Sequence, residues 1–197
     1  MERTGILVFD DVEELDLVGP LEVFGMAKRF RGRGEVLIIA ESSMEIRCRY
    51  GLRVRPTCSI SECRELDVLI VPGGLGARTH ARKNPNILEF VCRQQGIIAS
   101  VCTGALILAA AGVLKDLDAT THHSSIGKLR EYTDVRVHEN VRLTMNERVA
   151  TSAGVSAGID LSLALVARLW GMDLAERISS NMEWDRRGEW RQFAKVS

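Results

Sequence analysis

The chain has no excess of charge of either sign: 26 Lys and Arg stand against 26 Asp and Glu. No run of basic residues stands out, so the electrostatic footprint of a nucleic-acid binder is missing and no such partner is expected. A net charge of zero also does little to oppose self-association. No apolar run reaches the roughly 20 residues needed to span a bilayer, because Arg, Asp or Gly breaks each long candidate. A signal peptide is lacking as well. The opening MERTGILVFDD holds a short apolar run closed by acids, with no small-residue cleavage site. No membrane partner is expected, and the protein is expected to be cytoplasmic. There is no CxxC, and the five cysteines (Cys48, Cys58, Cys63, Cys92 and Cys102) are odd in number. Both facts disfavour a disulfide framework and a zinc site. Four of the five are expected to serve as small core hydrophobes. Repeats, low-complexity tracts and long linkers are absent too, and the length suits one domain over residues 1–197.

What is present is core material, at 46% hydrophobic residues. Apolar runs alternate with helical patterns, the order of an α/β protein whose mainly parallel sheet is covered on both faces. Short continuous apolar runs predict strands at 5–9, 36–40, 68–71 and 97–101. A hairpin is expected over 46–55, turning near Tyr50 and Gly51. Weaker strand signals lie at 119–122, 135–138, 141–144 and 149–151. Helices are expected at 20–29, 85–94, 103–111, 125–132, 157–170 and 174–186, with Pro20 and Pro85 in first turns. The charged runs 29–33 and 185–187 read as solvated faces. In such sheets the sites form outside the carboxyl ends of strands.

That rule directs attention to GIIASVCTGALILAAAG. An apolar strand ends, Cys102 follows, and a small-residue helix begins at once. Ser100-Val101-Cys102-Thr103-Gly104 has the spacing of a nucleophile elbow with Cys in the place of Ser. Small residues two before and two after are needed because the backbone doubles back. Helix-end N–H groups there favour thiolate, although a buried structural cysteine fits the same spacing. After the strand at 68–71 comes Pro72-Gly73-Gly74-Leu75-Gly76, a turn whose N–H groups can face an anion. The Gly74 N–H, with that of Thr103, can form an oxyanion hole; a plain turn is the alternative. After the first strand, Asp16 is either a helix N-cap or an acid–base group delivered to the site. His122 and His123 follow a strand twenty residues after Cys102, where a histidine can activate sulfur or can be structural. Ser152, in TSAGVSAG, either lines the pocket or belongs to close backbone packing.

Taken in order, LVFDDVEELDLVGPLEVF, DVLIVPGGLGAR, IASVCTGALILAAAGVL, ATTHH and VATSAGVSAGIDLSLALV resemble the ThiJ/PfpI superfamily over almost the whole chain. The resemblance implies a flavodoxin-like three-layer sandwich related to class I glutamine amidotransferases, usually a homodimer. It implies Cys102 as reactive thiol and Asp16 as its acidic partner. Asp16 in LDLVGP, Thr103 directly after Cys102, and TSAGVSAGID match the isonitrile hydratase branch. That branch implies attack of Cys102 on a small electrophilic substrate, proton handling by Asp16, and Thr103 positioning water. It implies no metal and no organic cofactor. Substrate-binding roles fall to Gly73, Gly74, His122 and Ser152. The protease-like branch has His directly after the nucleophile, where this chain has Thr103. The glyoxalase-like and deglycase branch usually has Glu at the position of Asp16. The amidase-like domain of AraC-type regulators is also similar, but those proteins continue into a DNA-binding unit and this chain ends at Ser197.

Overall fold

The computed structural model describes residues 2–184 and 189–193. In chain order its strands are β1 (Arg3–Leu7), β2 (Glu35–Ala40), β3 (Ile46–Arg47), β4 (Arg53–Val54), β5 (Cys58–Ser59) and β6 (Val68–Val71). They continue with β7 (Ile97–Val101), β8 (Asp118–Ala119), β9 (Arg136–Val137), β10 (Leu143–Met145) and β11 (Val149–Ser152). The helices are α1 (Glu14–Arg31), α2 (Leu75–Thr79), α3 (Pro85–Cys92), α4 (Gly104–Ala110), α5 (Ile126–Leu129), α6 (Ala157–Trp170) and α7 (Met172–Asn181). Seven strands form one sheet in the order β10-β11-β7-β6-β1-β2-β5. Every neighbouring pair is parallel except β10 with β11. Helices α1, α6 and α7 pack together on one face, and α2, α3, α4 and α5 on the other. This is the mainly parallel sheet covered on both faces that the alternating pattern implied, and the flavodoxin-like sandwich that the resemblance implied.

Burial explains why the central strands read so plainly. All four residues of β6 are buried, as are four of the five in β7, because helices cover both faces and leave no polar side to alternate. The expected hairpin is β3 with β4, antiparallel, with Gly51 at φ 103 in its turn. The two-residue strand β5 and the five-residue helix α2 were not expected, because elements so short carry no period. The weaker strand signals resolve into β8 with β9, a separate parallel ladder, and β10 with β11 in the main sheet.

Three helix expectations need correction. Helix α1 starts at Glu14, more than a turn before Pro20, which sits inside it. The proline's φ suits a helix, and it removes only the one N–H that would bond the Asp16 carbonyl. The helix at 125–132 shortens to a 3₁₀ turn (His123–Ser125) followed by α5. Helix α7 stops at Asn181; the last residues of the expected 174–186 helix, and the charged run at 185–187, lie outside the described residues. Of the cysteines expected in the core, Cys48 is buried and Cys58 and Cys63 are part-buried, but Cys92, at the end of α3, is exposed. No helix among the described residues is long and apolar enough to cross a membrane.

Candidate functional site

The carboxyl ends of β1, β6, β7 and β11 converge on Cys102. The chain leaves β7 at Val101 and enters α4 at Gly104, so two residues must turn it round. Cys102 does so at φ 55, a left-handed conformation that costs a residue with a side chain on the order of 1–3 kcal/mol. The surroundings hold it there. Its N–H donates to the carbonyls of Ser152 (3.2 Å) and Ala153 (3.1 Å), and its carbonyl accepts the Thr121 hydroxyl at 2.7 Å. Only glycine fits at 104, since a Cβ there would come within 2.0 Å of the Val71 carbonyl oxygen. The spacing read as a nucleophile elbow is therefore built as one.

Asp16 arrives from the first turn of α1 and is fully buried. It is not the N-cap; that position is Glu13, whose side chain makes no capping bond. Asp16 Oδ2 accepts the Gly73 N–H at 3.0 Å. Its Oδ1 has no N–H or O–H partner among the described residues, and the Cys102 thiol is the group that reaches the carboxyl. Burial pushes the Asp16 pKa up to about 7; the Gly73 N–H holds it down, Glu13 raises it and the thiol's hydrogen bond lowers it.

Cys102 is only 6% exposed. Burial, and then the Asp16 charge, push its pKa up to about 12, against the pull of the Thr103 N–H, the Val155 N–H and the Thr103 hydroxyl. The expectation that helix-end N–H groups leave this thiol with a low pKa is thus corrected. A like-charged neighbour in a dry site outweighs two N–H donors. Between them the two groups keep at least one proton near neutral pH and titrate as a pair.

The glycine-rich turn does different work from that expected. The Gly74 N–H does not point at an open oxyanion site; it donates to Thr103 Oγ1 at 2.9 Å. The single Thr103 hydroxyl proton has two acceptors in reach, the Gly74 carbonyl at 3.1 Å and the Cys102 sulfur. Gly73 is needed because a Cβ would meet Thr103 N at 2.5 Å and Asp16 Oδ2 at 2.9 Å. The N–H groups that face the sulfur belong to Thr103 and Val155. Val155 went unnoticed in the sequence; nothing in TSAGVSAG marks its φ of 45.

Two expected site residues point elsewhere. Ser152 is fully buried, and its hydroxyl donates to the Ser100 carbonyl at 3.3 Å, tying β11 to β7. It does not line the site; the Ser152 carbonyl, holding the Cys102 N–H, is its link to the elbow. The His122 Nδ1 accepts the Ser124 N–H at 3.2 Å as an N-cap and also lies 2.8 Å from the Ser124 hydroxyl. Its ring packs so closely on Gly154 that a Cβ there would lie 2.3 Å from Cδ2. Burial, then His123 and Arg78, hold its pKa below the usual range, so it stands neutral beside the site. Glu13 completes the acidic side, with its pKa raised by burial and by Glu14 and held down by Arg49 and Arg78. Neither arginine had a signal in the sequence. Among the described residues no three His, Cys, Asp or Glu side chains gather as a metal ion requires.

Comparison with known proteins places the chain in a family. Residues 2–168 match the DJ-1/PfpI family. Isonitrile hydratase of Pseudomonas putida is 32% identical over 185 residues, which cover 92% of this chain and 78% of that protein. The HTH-type transcriptional regulator GbdR of Pseudomonas aeruginosa is 28% identical over 94% of this chain, which spans about half (51%) of that protein's length. A crystal structure of a ThiJ/PfpI family protein from Pseudomonas syringae superposes with a TM-score of 0.85 at 34% identity, covering 93% of this chain and 75% of that one.

Proposed function

Since the chain belongs to the DJ-1/PfpI family, we propose that it is a cysteine-dependent hydratase that converts isonitriles to N-substituted formamides. The observation that carries this reading is the buried Asp16 carboxyl against the Cys102 thiol, two acids held so close that one proton serves both. The similarity to isonitrile hydratase supports the choice of substrate.

The chemistry balances with no outside reagent but water. The thiol proton passes to Asp16 as sulfur bonds to the terminal isonitrile carbon. Asp16 then returns that proton to the same carbon, whose lone pair accepts it, leaving a thioimidate. The Asp16 carboxylate next takes a proton from water, whose oxygen attacks the thioimidate carbon, and that proton goes on to nitrogen. The tetrahedral adduct expels sulfur as the C=O forms, and the hydroxyl proton returns to the Asp16–Cys102 pair. The N–H groups of Thr103 and Val155 stabilise charge on sulfur during attack and expulsion. The Thr103 hydroxyl can turn from the Gly74 carbonyl to the sulfur as that charge grows.

The deciding assay follows formamide release from a small alkyl isonitrile, with methylglyoxal and a peptide run alongside. Isonitrile turnover is expected to dominate, with no peptide cleavage. Consumption of methylglyoxal without isonitrile turnover would replace this reading with a glyoxalase-like one. We further propose a homodimer, in keeping with the superfamily and the zero net charge. Light scattering at micromolar concentration is expected to give about twice the chain mass for a two-fold assembly; a monomer at every accessible concentration defeats this.

A further inference from the structure

Behind the second N–H donor to sulfur lies an ion pair, its carboxylate buried and its guanidinium partly exposed, that the proposed chemistry does not use. The donor is Val155, at φ 45, where a β-branched side chain is a genuine outlier. Such strain persists only where the surroundings over-determine it, and here the surroundings are Arg142. Its carbonyl accepts the Ala153 N–H at 2.9 Å. Its guanidinium Nε donates to Asp160 Oδ2 at 2.5 Å. Its Nη2 pairs with the same carboxylate and lies 3.4 Å from Ser156 Oγ. One arginine therefore grips the turn at 153–156 from both ends.

The anchor is itself immobile. Asp160, in the first turn of α6, is 4% exposed, and its Oδ1 accepts the Trp184 Nε1–H at 2.9 Å. With both oxygens engaged the carboxylate has no freedom to rotate. Apolar side chains would close the same seam without the cost of desolvating the Asp160 carboxylate. What they would lack is direction.

We propose that Arg142 and Asp160 are positioning residues that fix residues 153–156 so the Val155 N–H stays on the Cys102 sulfur and on the charge that develops there. The inference rests on Cys102 as the nucleophile, so its test reads the thiol and not the turnover of any substrate. The charged groups facing that thiol are few. Asp16 comes from α1 with Glu13 behind it, while the β7–α4 turn and the 153–156 turn supply N–H groups and the Thr103 hydroxyl. His122, from the segment after β8, is turned to Ser124 and Gly154.

The experiment measures iodoacetamide alkylation of Cys102, peptide by peptide, from acid to alkaline pH in Arg142→Lys and Arg142→Met. Exposed Cys92 serves as internal reference, and circular dichroism monitors folding. Arg142→Lys keeps a charge beside Asp160 but cannot fork to Ser156. Loss of one donor to a charged sulfur is expected to slow Cys102 alkylation at neutral pH about tenfold or more. The Cys102 profile is also expected to move to higher pH, with Cys92 unchanged. An unchanged or faster Cys102 reaction in folded Arg142→Lys overturns the proposal, even if the melting temperature falls. Should Arg142→Met fail to fold, Arg142→Lys decides. Failure of the nucleophile assignment shows separately, as wild-type-like turnover in a Cys102→Ser enzyme.

Discussion

Cys102→Ser is expected to abolish isonitrile turnover, with a loss of about 10³-fold or more, while the fold and melting temperature stay close to those of the parent. The two side chains are nearly the same size, and the elbow's strain is held by backbone contacts to Ser152, Ala153 and Thr121 that serine keeps. Chemistry separates them. Burial and Asp16 already push the thiol to about 12, and a hydroxyl in the same place ionises far less readily. A serine oxygen is also a poorer nucleophile than sulfur toward the soft isonitrile carbon, and His122, bound to Ser124, is not turned to help. Turnover unchanged in the purified variant would remove Cys102 from the mechanism.

Asp16→Asn is expected to lower turnover on the order of a hundredfold or more, the usual worth of a positioned proton-transfer group. Combined with Cys102→Ser it should cost nothing further, because the two groups act as one unit. The same change is expected to stabilise the protein at alkaline pH. Asp16 titrates at about 7 in the fold against an ordinary 3.8. Between those values the folded chain binds more protons than the unfolded chain. This group's contribution to stability is therefore full below about pH 4 and is lost as pH rises through about 7, roughly 4 kcal/mol for that shift. Asparagine still accepts the Gly73 N–H but never ionises, so its curve should lack this slope. Urea unfolding of parent and variant on the two sides of neutral pH measures the difference. Parallel curves would show that Asp16 is not ionising in a buried site. Activity of the parent should rise through the same midpoint, since the pair must first lose one of its two protons.

The elbow was legible because its constraint is local. Two residues must reverse the chain, so Ser100 and Gly104 had to be small, and that requirement is written into adjacent letters. Asp16 could be picked out by its position after β1, but Pro20 hid the start of α1 and with it the turn that carries the carboxyl. What stayed illegible depends on partners distant in the chain. Gly74 and Thr103 occupy each other's polar groups, which no spacing announces, so a turn read as an anion cradle turned out to be bonded internally. Ser152 sits on β11 with its hydroxyl toward Ser100, and the choice of face depends on a register that short strands do not fix. Val155 looks like any small-loop valine; its strain and its N–H direction exist only once Arg142 and Asp160 have closed over it.

The bond from Gly73 to Asp16 joins positions 57 apart in the chain, and that from Ser152 to Ser100 joins positions 52 apart. Every loop of this kind must be closed before its contacts give anything back, so structures rich in them form late. On the ribosome, Cys102 emerges well before Val155 has been made, so in the nascent chain it is an ordinary solvated cysteine with an ordinary thiol. Its unusual chemistry begins only when strands from both halves of the sequence have met. Folding thus carries this thiol from its ordinary value up to about 12, and that rise can serve as a clock for the last step of folding.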